Sequence, residues 1–157
     1  MSVLSDRDIL EHLEKQIMHI ENFNEKNLTP NGYDLTIGSV KIPSEEIHLK
    51  EGIADIPPMT RFLVGTKEYI KMSDKISAQL WIRSSWARKG ILASFGKIDA
   101  GFEGILTLAA FNSSNDTIQI DINNTFAQIV FLEMKSKALK TYEKRSGNYQ
   151  KQKEIKI

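Results

Sequence analysis

The chain is 157 residues long, 41% hydrophobic and 26% charged, enough apolar material for the core of one packed domain. Cysteine is absent and no apolar run nears the roughly 20 residues that span a bilayer, which excludes disulfide frameworks, thiolate metal sites and membrane-spanning helices. The net charge of +1 hides an asymmetry, because residues 135–157 hold eight Lys or Arg against Glu143 and Glu154 and leave the body acidic.

No signal-peptide pattern opens the chain, so a cytoplasmic protein with no membrane role is expected. Ser5, ahead of Asp6, Arg7 and Asp8, reads as a helix cap followed by an acidic first turn. Ile9, Leu10, Leu13 and Ile17 then keep helical spacing, so an amphipathic helix packs one face on the core. Residues 20–30 are polar and loop-like. After the Asn31-Gly32 turn, Tyr33, Leu35 and Ile37 alternate with Asp34 and Thr36, the period of a half-buried strand. A charge at Asp34 is costly there unless paired, and its plain reading is an exposed strand carboxylate.

Residues 40–58 carry short strands and turns punctuated by Pro43, Pro57 and Pro58. Strand patterns recur at 61–65, 78–82, 91–95, 105–111, 117–122 and 126–134, separated by Gly96, Gly101, the polar run 112–116 and Asn123-Asn124. Short strands at this spacing predict a mainly β fold, a sandwich or barrel, with one helix at its N-terminus. Within 84–89, Trp86 and Ala87 break the alternation and predict a helical turn. The basic residues 135–157 read as a solvated end or as a tail that folds over an anionic ligand. Nucleic acid is not the expected partner, since the body is acidic and aromatics are sparse.

Chemistry concentrates in 81–104, WIRSSWARKGILASFGKIDAGFEG. Arg83, Ser84, Ser85 and Arg88 suit phosphate oxygens, because guanidinium is always charged and hydroxyls donate in adaptable directions. Asp99, in a turn of small residues before Phe102, can orient a water or hold a metal-bound phosphate. The physical reading is a site for a phosphorylated ligand. There is no phosphate-binding loop of the GxxxxGK[ST] type and no dinucleotide fingerprint. His12, His19 and His48 share no metal-ligand spacing, and nothing supports a Ser/His/Asp nucleophile, so the serines are read as donors.

These residues resemble the superfamily that joins dCTP deaminases and dUTP pyrophosphatases (dUTPases), nearly end to end. Residues 4–9 look like the opening of the deaminase branch, and Asn31-Gly32-Tyr33-Asp34-Leu35 matches the family's first motif. RSSWARKG at 83–90 matches the phosphate motif RSSxARxG, and IDAGFEG at 98–104 matches IDxG[FWY]xG. AQIVF at 127–131 matches a further motif; Tyr142 and NYQKQ at 148–152 look like the deaminase-branch tail. The resemblance implies a distorted β-barrel or jelly-roll-like subunit, a homotrimer with sites at subunit interfaces, and an Mg²⁺-bound deoxynucleoside triphosphate, dUTP in the leading reading. It implies phosphate grips at Arg83, Ser84, Ser85 and Arg88, with Gln128 supporting them and Asp34 acting near the metal through water. The hairpin from Phe95 through Lys97 to Asp99 would meet the pyrimidine by its backbone, and Phe102 would lie against the deoxyribose. The body, 1–134, would be closed by the tail, 135–157, bringing Tyr142, Tyr149 and Gln152 over the nucleotide.

Two departures separate possible reactions. The deaminase branch carries a proton-shuttling glutamate in the run G-x-(I/L)-T-L-E, and here that run, 104–109, ends in Ala109. An alanine moves no proton, and general acid–base catalysis is typically worth about 10²–10⁴-fold. Glu103 does not replace the missing glutamate easily, since the strand offset carries its side chain well away from that position. Asp99, which in dUTPases positions the water that attacks the α-phosphate, is retained. Asn148 stands where the tail motif has lysine, so charge in the tail falls to Lys144, Arg145, Lys151 or Lys153. The expectation is a dUTP diphosphatase, with a dCTP deaminase or bifunctional enzyme, or a non-catalytic nucleotide-binding regulator, as rivals.

Overall fold

The computed structural model describes residues 2–157. Alternation along the sequence becomes alternation of burial. Ile53–Ile56 and Ile118–Asp121 pair antiparallel, with Ala54, Ile56, Ile118 and Ile120 buried and the residues between them exposed. The main sheet has ten strands. Its principal path runs Ile91–Ala93, Thr107–Asn112, Thr60–Thr66, Gly32–Ile42, Thr125–Glu133, Ile76–Ile82 and Lys97–Ile98, each neighbouring pair antiparallel.

The two ends of that path are joined by Ser94, Phe95 and Gly96 alone. So short a link reaches about 14 Å at full extension, and the sheet must curl until its edges nearly meet. The expected distorted barrel is therefore a curled half-barrel with a seam at 94–96. Gly32–Ile42 carries the bend. It pairs with Thr125–Glu133 from Tyr33 to Thr36, then with Thr60–Thr66 across an irregularity between Ile37 and Ser39.

Aromatic rings fill the curl. Tyr33, Phe62, Phe126 and Phe131 are the largest fully buried side chains, and Phe126 has the rings of Phe62, Trp86 and Phe95 at 6.0, 5.9 and 6.3 Å. Trp86 explains the broken alternation. Ser84–Ala87 is a helical turn that buries this indole, whose Nε1 donates to the Thr125 carbonyl at 2.8 Å.

The N-terminal helix is Asp6–Glu14, capped by Ser5 in a reciprocal box with Asp8. Its buried stripe is narrower than the spacing predicts. Ile9 is fully buried, worth about 2 kcal/mol, and Leu13 packs partly against the core, while Leu10 and Ile17 stay exposed. Residues 20–30 are not a plain loop. His19–Glu21 and Leu28–Thr29 are strands around a 3-10 turn, Glu25–Asn27, because they pair with Tyr69–Lys71 and with Gly32–Ile42.

The basic tail is docked rather than loose. Tyr142–Arg145 forms a helical turn, and Gln152 bridges Gly104. Tyr142 N donates to Ala100 O at 2.9 Å, Lys151 N to Glu103 O at 2.6 Å and Ile105 N to Gln152 O at 3.0 Å. Two glycines leave it room: a Cβ on Gly101 would lie 2.5 Å from Thr141 Cβ, and one on Gly104 3.1 Å from Gln152 N. Among the described residues no helix is long and apolar enough to cross a membrane.

Candidate functional site

Arg83 follows the end of Ile76–Ile82, its N–H donating to Phe126 O at 3.2 Å. Its Nε lies 2.9 Å from Asp34 Oδ2, and its Nη1 donates to Thr125 Oγ1. Gln128 Nε2 donates to Asp34 Oδ1 at 3.2 Å. Register brings these groups together, since Gln128 lies opposite Asp34 on one side and Trp81 on the other. Asp34 is thus not an exposed strand carboxylate: it is 9% accessible and paired, as a charge at that depth requires. Arg83 braces the cluster from beneath. Ser84, Ser85 and Arg88 are exposed, and their side chains make no hydrogen bond or ion pair among the described residues.

At the seam, Lys97 and Ile98 pair with Gln79 and Ala78. Asp99 follows, with Lys97 Nζ 3.0 Å from its Oδ1. It lines a cleft of about 340 Å³ with Lys140, Tyr142 and Arg145, so the tail wraps past this carboxylate. Phe95 turns its ring toward Phe126, while Ser94, Gly96 and Lys97 around it are exposed. Phe102 lies under the tail. It is 6% accessible, with the Tyr142 ring packed edge-on at a centroid distance of 5.6 Å. The Tyr142 hydroxyl accepts from Tyr149 N at 3.1 Å. Gln152 is buried: its Nε2 donates to Ile105 O at 2.6 Å and its Oε1 has no partner.

Within one chain the two halves stay apart. Asp99 lies past the Ile98–Ala78 pair, level with Ser77, and Arg83 is six residues further along that strand. At 3.3 Å per residue the separation is about 20 Å. A single chain brings Asp34, Arg83 and Gln128 together, with Ser84, Ser85 and Arg88 beside them, and elsewhere gathers Lys97, Asp99 and Tyr142.

Ala109 is exposed on Thr107–Asn112 opposite Leu63, and lines a second cleft of about 460 Å³ with Arg61, Leu80, Lys97 and Gln152. No Asp, Glu or His lines that cleft. Glu103 is held elsewhere, opposite Lys71, where it accepts from the Tyr69 hydroxyl at 3.1 Å. The sequence reading passes over Arg61, Thr125 and Glu68. Arg61 does carry a signal, a cation at the start of an apolar strand. Glu68 carries none, because the groups that hold it lie 32 and 35 residues away: Thr36 N–H at 2.9 and 3.1 Å and the Tyr33 hydroxyl at 3.3 Å. Burial pushes the Glu68 carboxyl above its usual range and the Tyr33 phenol up to about 12.

No three His, Asp or Glu side chains gather as a metal cage among the described residues, and both Asp34 oxygens are engaged. That donor set would suit an Mg²⁺ brought in on phosphates with its own waters rather than one held in a protein cage.

The half-barrel, the arginine–serine turn and the aspartate hairpin together define the class of dCTP deaminases and dUTPases. A family model described as dCTP deaminase-like matches residues 41–134, and the chain belongs to that family. It is 39% identical over 145 residues to the dCTP deaminase of Thermococcus kodakarensis, covering 91% of each chain. It is 35% identical over 156 residues to a Sulfolobus islandicus rod-shaped virus 1 protein named "Probable deoxyuridine 5'-triphosphate nucleotidohydrolase", covering 98% of this chain and 96% of that one. A crystal structure of 2'-deoxycytidine 5'-triphosphate deaminase from Agrobacterium tumefaciens matches with a TM-score of 0.69 at 20% identity. That match covers 82% of this chain and 47% of the other, about half its length, and what it shares is the fold.

Proposed function

We propose that the chain is an Mg²⁺-dependent dUTP diphosphatase of the cytoplasm, a homotrimer with active sites between subunits. The observation that carries this reading is the cleft beside Ala109, which no carboxylate or histidine lines, while Asp99 keeps an accessible carboxylate on the adjoining hairpin. Deamination needs a group that moves protons at the amine carbon; hydrolysis needs a positioned water. The separation of Asp99 from the arginine–serine turn supports a site assembled from two copies of the chain.

Ser84, Ser85 and Arg88 hold phosphate oxygens, with Arg83 fixed beneath them by Asp34 and Thr125. Asp99 of a neighbouring copy orients a water and takes its proton as the water oxygen bonds to the α-phosphorus. The bond from that phosphorus to the oxygen bridging the β-phosphorus breaks, and pyrophosphate leaves with the oxygen. Mg²⁺ on the triphosphate supplies charge neutralisation. Tyr142, Tyr149 and Gln152 of the tail cover the nucleotide, and Phe102 meets the sugar.

The name of the Thermococcus kodakarensis relative and the family model favour a second reading, dCTP deamination. One assay separates them: purified protein with Mg²⁺ and either dUTP or dCTP, pyrophosphate and ammonia measured separately. Pyrophosphate from dUTP without ammonia from dCTP is the expected result. Ammonia from dCTP alone transfers the reading to a deaminase, and both products to a bifunctional enzyme. Tight dUTP binding with neither product marks a nucleotide-binding regulator.

A further inference from the structure

The cleft beside Ala109 has apolar walls, including Leu63, Leu80 and Leu108, and a volume of about 460 Å³, which suits a flat ring. Its charged lining is of one sign: Arg61, Lys97 and Lys156. Arg61 lies opposite Phe111 in the ladder, and Leu63 opposite Ala109. Alternate residues of a strand share a face, so Arg61 stands diagonally from Ala109 on the cleft side. Its guanidinium has no hydrogen bond or ion pair among the described residues, unlike that of Arg83.

We propose that Arg61 is a specificity-determining residue that selects a 4-oxo pyrimidine over a 4-amino pyrimidine. The inference rests on the nucleotide reading above and adds to it the group that reads the base. Guanidinium offers five donors and no acceptor. Uracil presents a carbonyl oxygen at position 4, which accepts; cytosine presents an amine, which donates and meets a surface of cations. A carboxylate at 109 would accept from that amine, and Ala109 removes it. Gln152 also lines the cleft, but its Oε1 is buried and its Nε2 is committed to Ile105 O, so it does not discriminate. Selectivity then comes as much from an unfavourable donor–donor contact with the wrong base as from the contact with the right one.

The test is binding of the α,β-imido analogues of dUTP and dCTP to the Mg²⁺-supplied protein by calorimetry, for wild type, Arg61→Leu and Arg61→Lys. Wild type is expected to favour the uracil analogue. Arg61→Leu should shrink the ratio of the two dissociation constants by about tenfold or more, the scale of one hydrogen bond to a charged group. Arg61→Lys, which keeps a donor, should restore part of it. A uracil preference that survives Arg61→Leu unchanged, with both affinities falling together or neither, overturns the role of Arg61 and leaves the hydrolase reading standing. A wild type that favours the cytosine analogue overturns both. Should the leucine variant fail to fold, Arg61→Gln, which adds an acceptor beside its donors, gives the same comparison, and an unchanged ratio there counts equally against the proposal.

Discussion

Glu68 is a carboxylate with no exposure to solvent, and what it accepts from Thr36 N–H and the Tyr33 hydroxyl does not offset the loss of water. Its folded pKa therefore lies above the ordinary 4.5. The folded state keeps the proton where the unfolded chain releases it, so this residue's contribution to stability is fully present below 4.5 and is lost as pH rises from there through the folded value. Asp8, held low by hydrogen bonds from Ser5, and Glu11 and Glu133, held low by Lys15 and Lys75, act in the opposite sense and lose stability as pH falls. Comparing wild type with Glu68→Gln isolates the buried group: the variant's melting temperature should fall less steeply with pH above 4.5. Identical slopes would mean that Glu68 ionises in the fold without penalty. At this scale the sequence was informative only where partners are near or a motif is complete. Ser84, Ser85, Arg88 and Asp99 stand out by type and spacing, but the Asp34–Arg83 pair spans 49 positions and depends on which strands become neighbours.

Among elements, the docked tail makes the sharpest demand on the body. Gly101 has φ +82, and a side chain there would meet Thr141 at 2.5 Å. Gly101→Ala should thus cost about 1–3 kcal/mol from backbone strain alone, with the Thr141 clash added. The expected readout is a lower urea midpoint at nearly unchanged slope, together with faster proteolysis within 135–157. An unaltered midpoint would show that the tail does not sit on this turn. The individual strands were legible because a period of two is a local property. The seam was not: nothing in Ser94, Phe95 and Gly96 announces that they join the two ends of the sheet's path, since the curl follows from pairings such as Ile91 with Asn112 and Lys97 with Gln79. His19–Glu21 was hidden for the same reason, its partner Tyr69–Lys71 lying far along the chain, whereas Leu28–Thr29 pairs locally with Tyr33 and Gly32 and is too short to show a period.

For the whole molecule, Asp99 and Arg83 lie about 20 Å apart along one strand, a separation that the proposed function turns into a test. Under the proposed hydrolase reading, a triphosphate gripped by Ser84, Ser85 and Arg88 of one copy meets Asp99 of another. Trp81 and Leu92 stand exposed beside the seam. If each site draws its phosphate grip from one copy and its water-holding carboxylate from the next, two inactive variants complement each other. Asp99→Asn keeps the grip and loses the base; Arg88→Ala does the reverse, and each alone should show little pyrophosphate release from dUTP. When the two are unfolded together, mixed and refolded, random assortment in a closed ring makes roughly a quarter of the sites wild type in both halves. Activity near that fraction would establish shared sites. Activity no greater than the sum of the separate variants would place Asp99 and Arg88 in one chain's site, against the separation that the strand imposes.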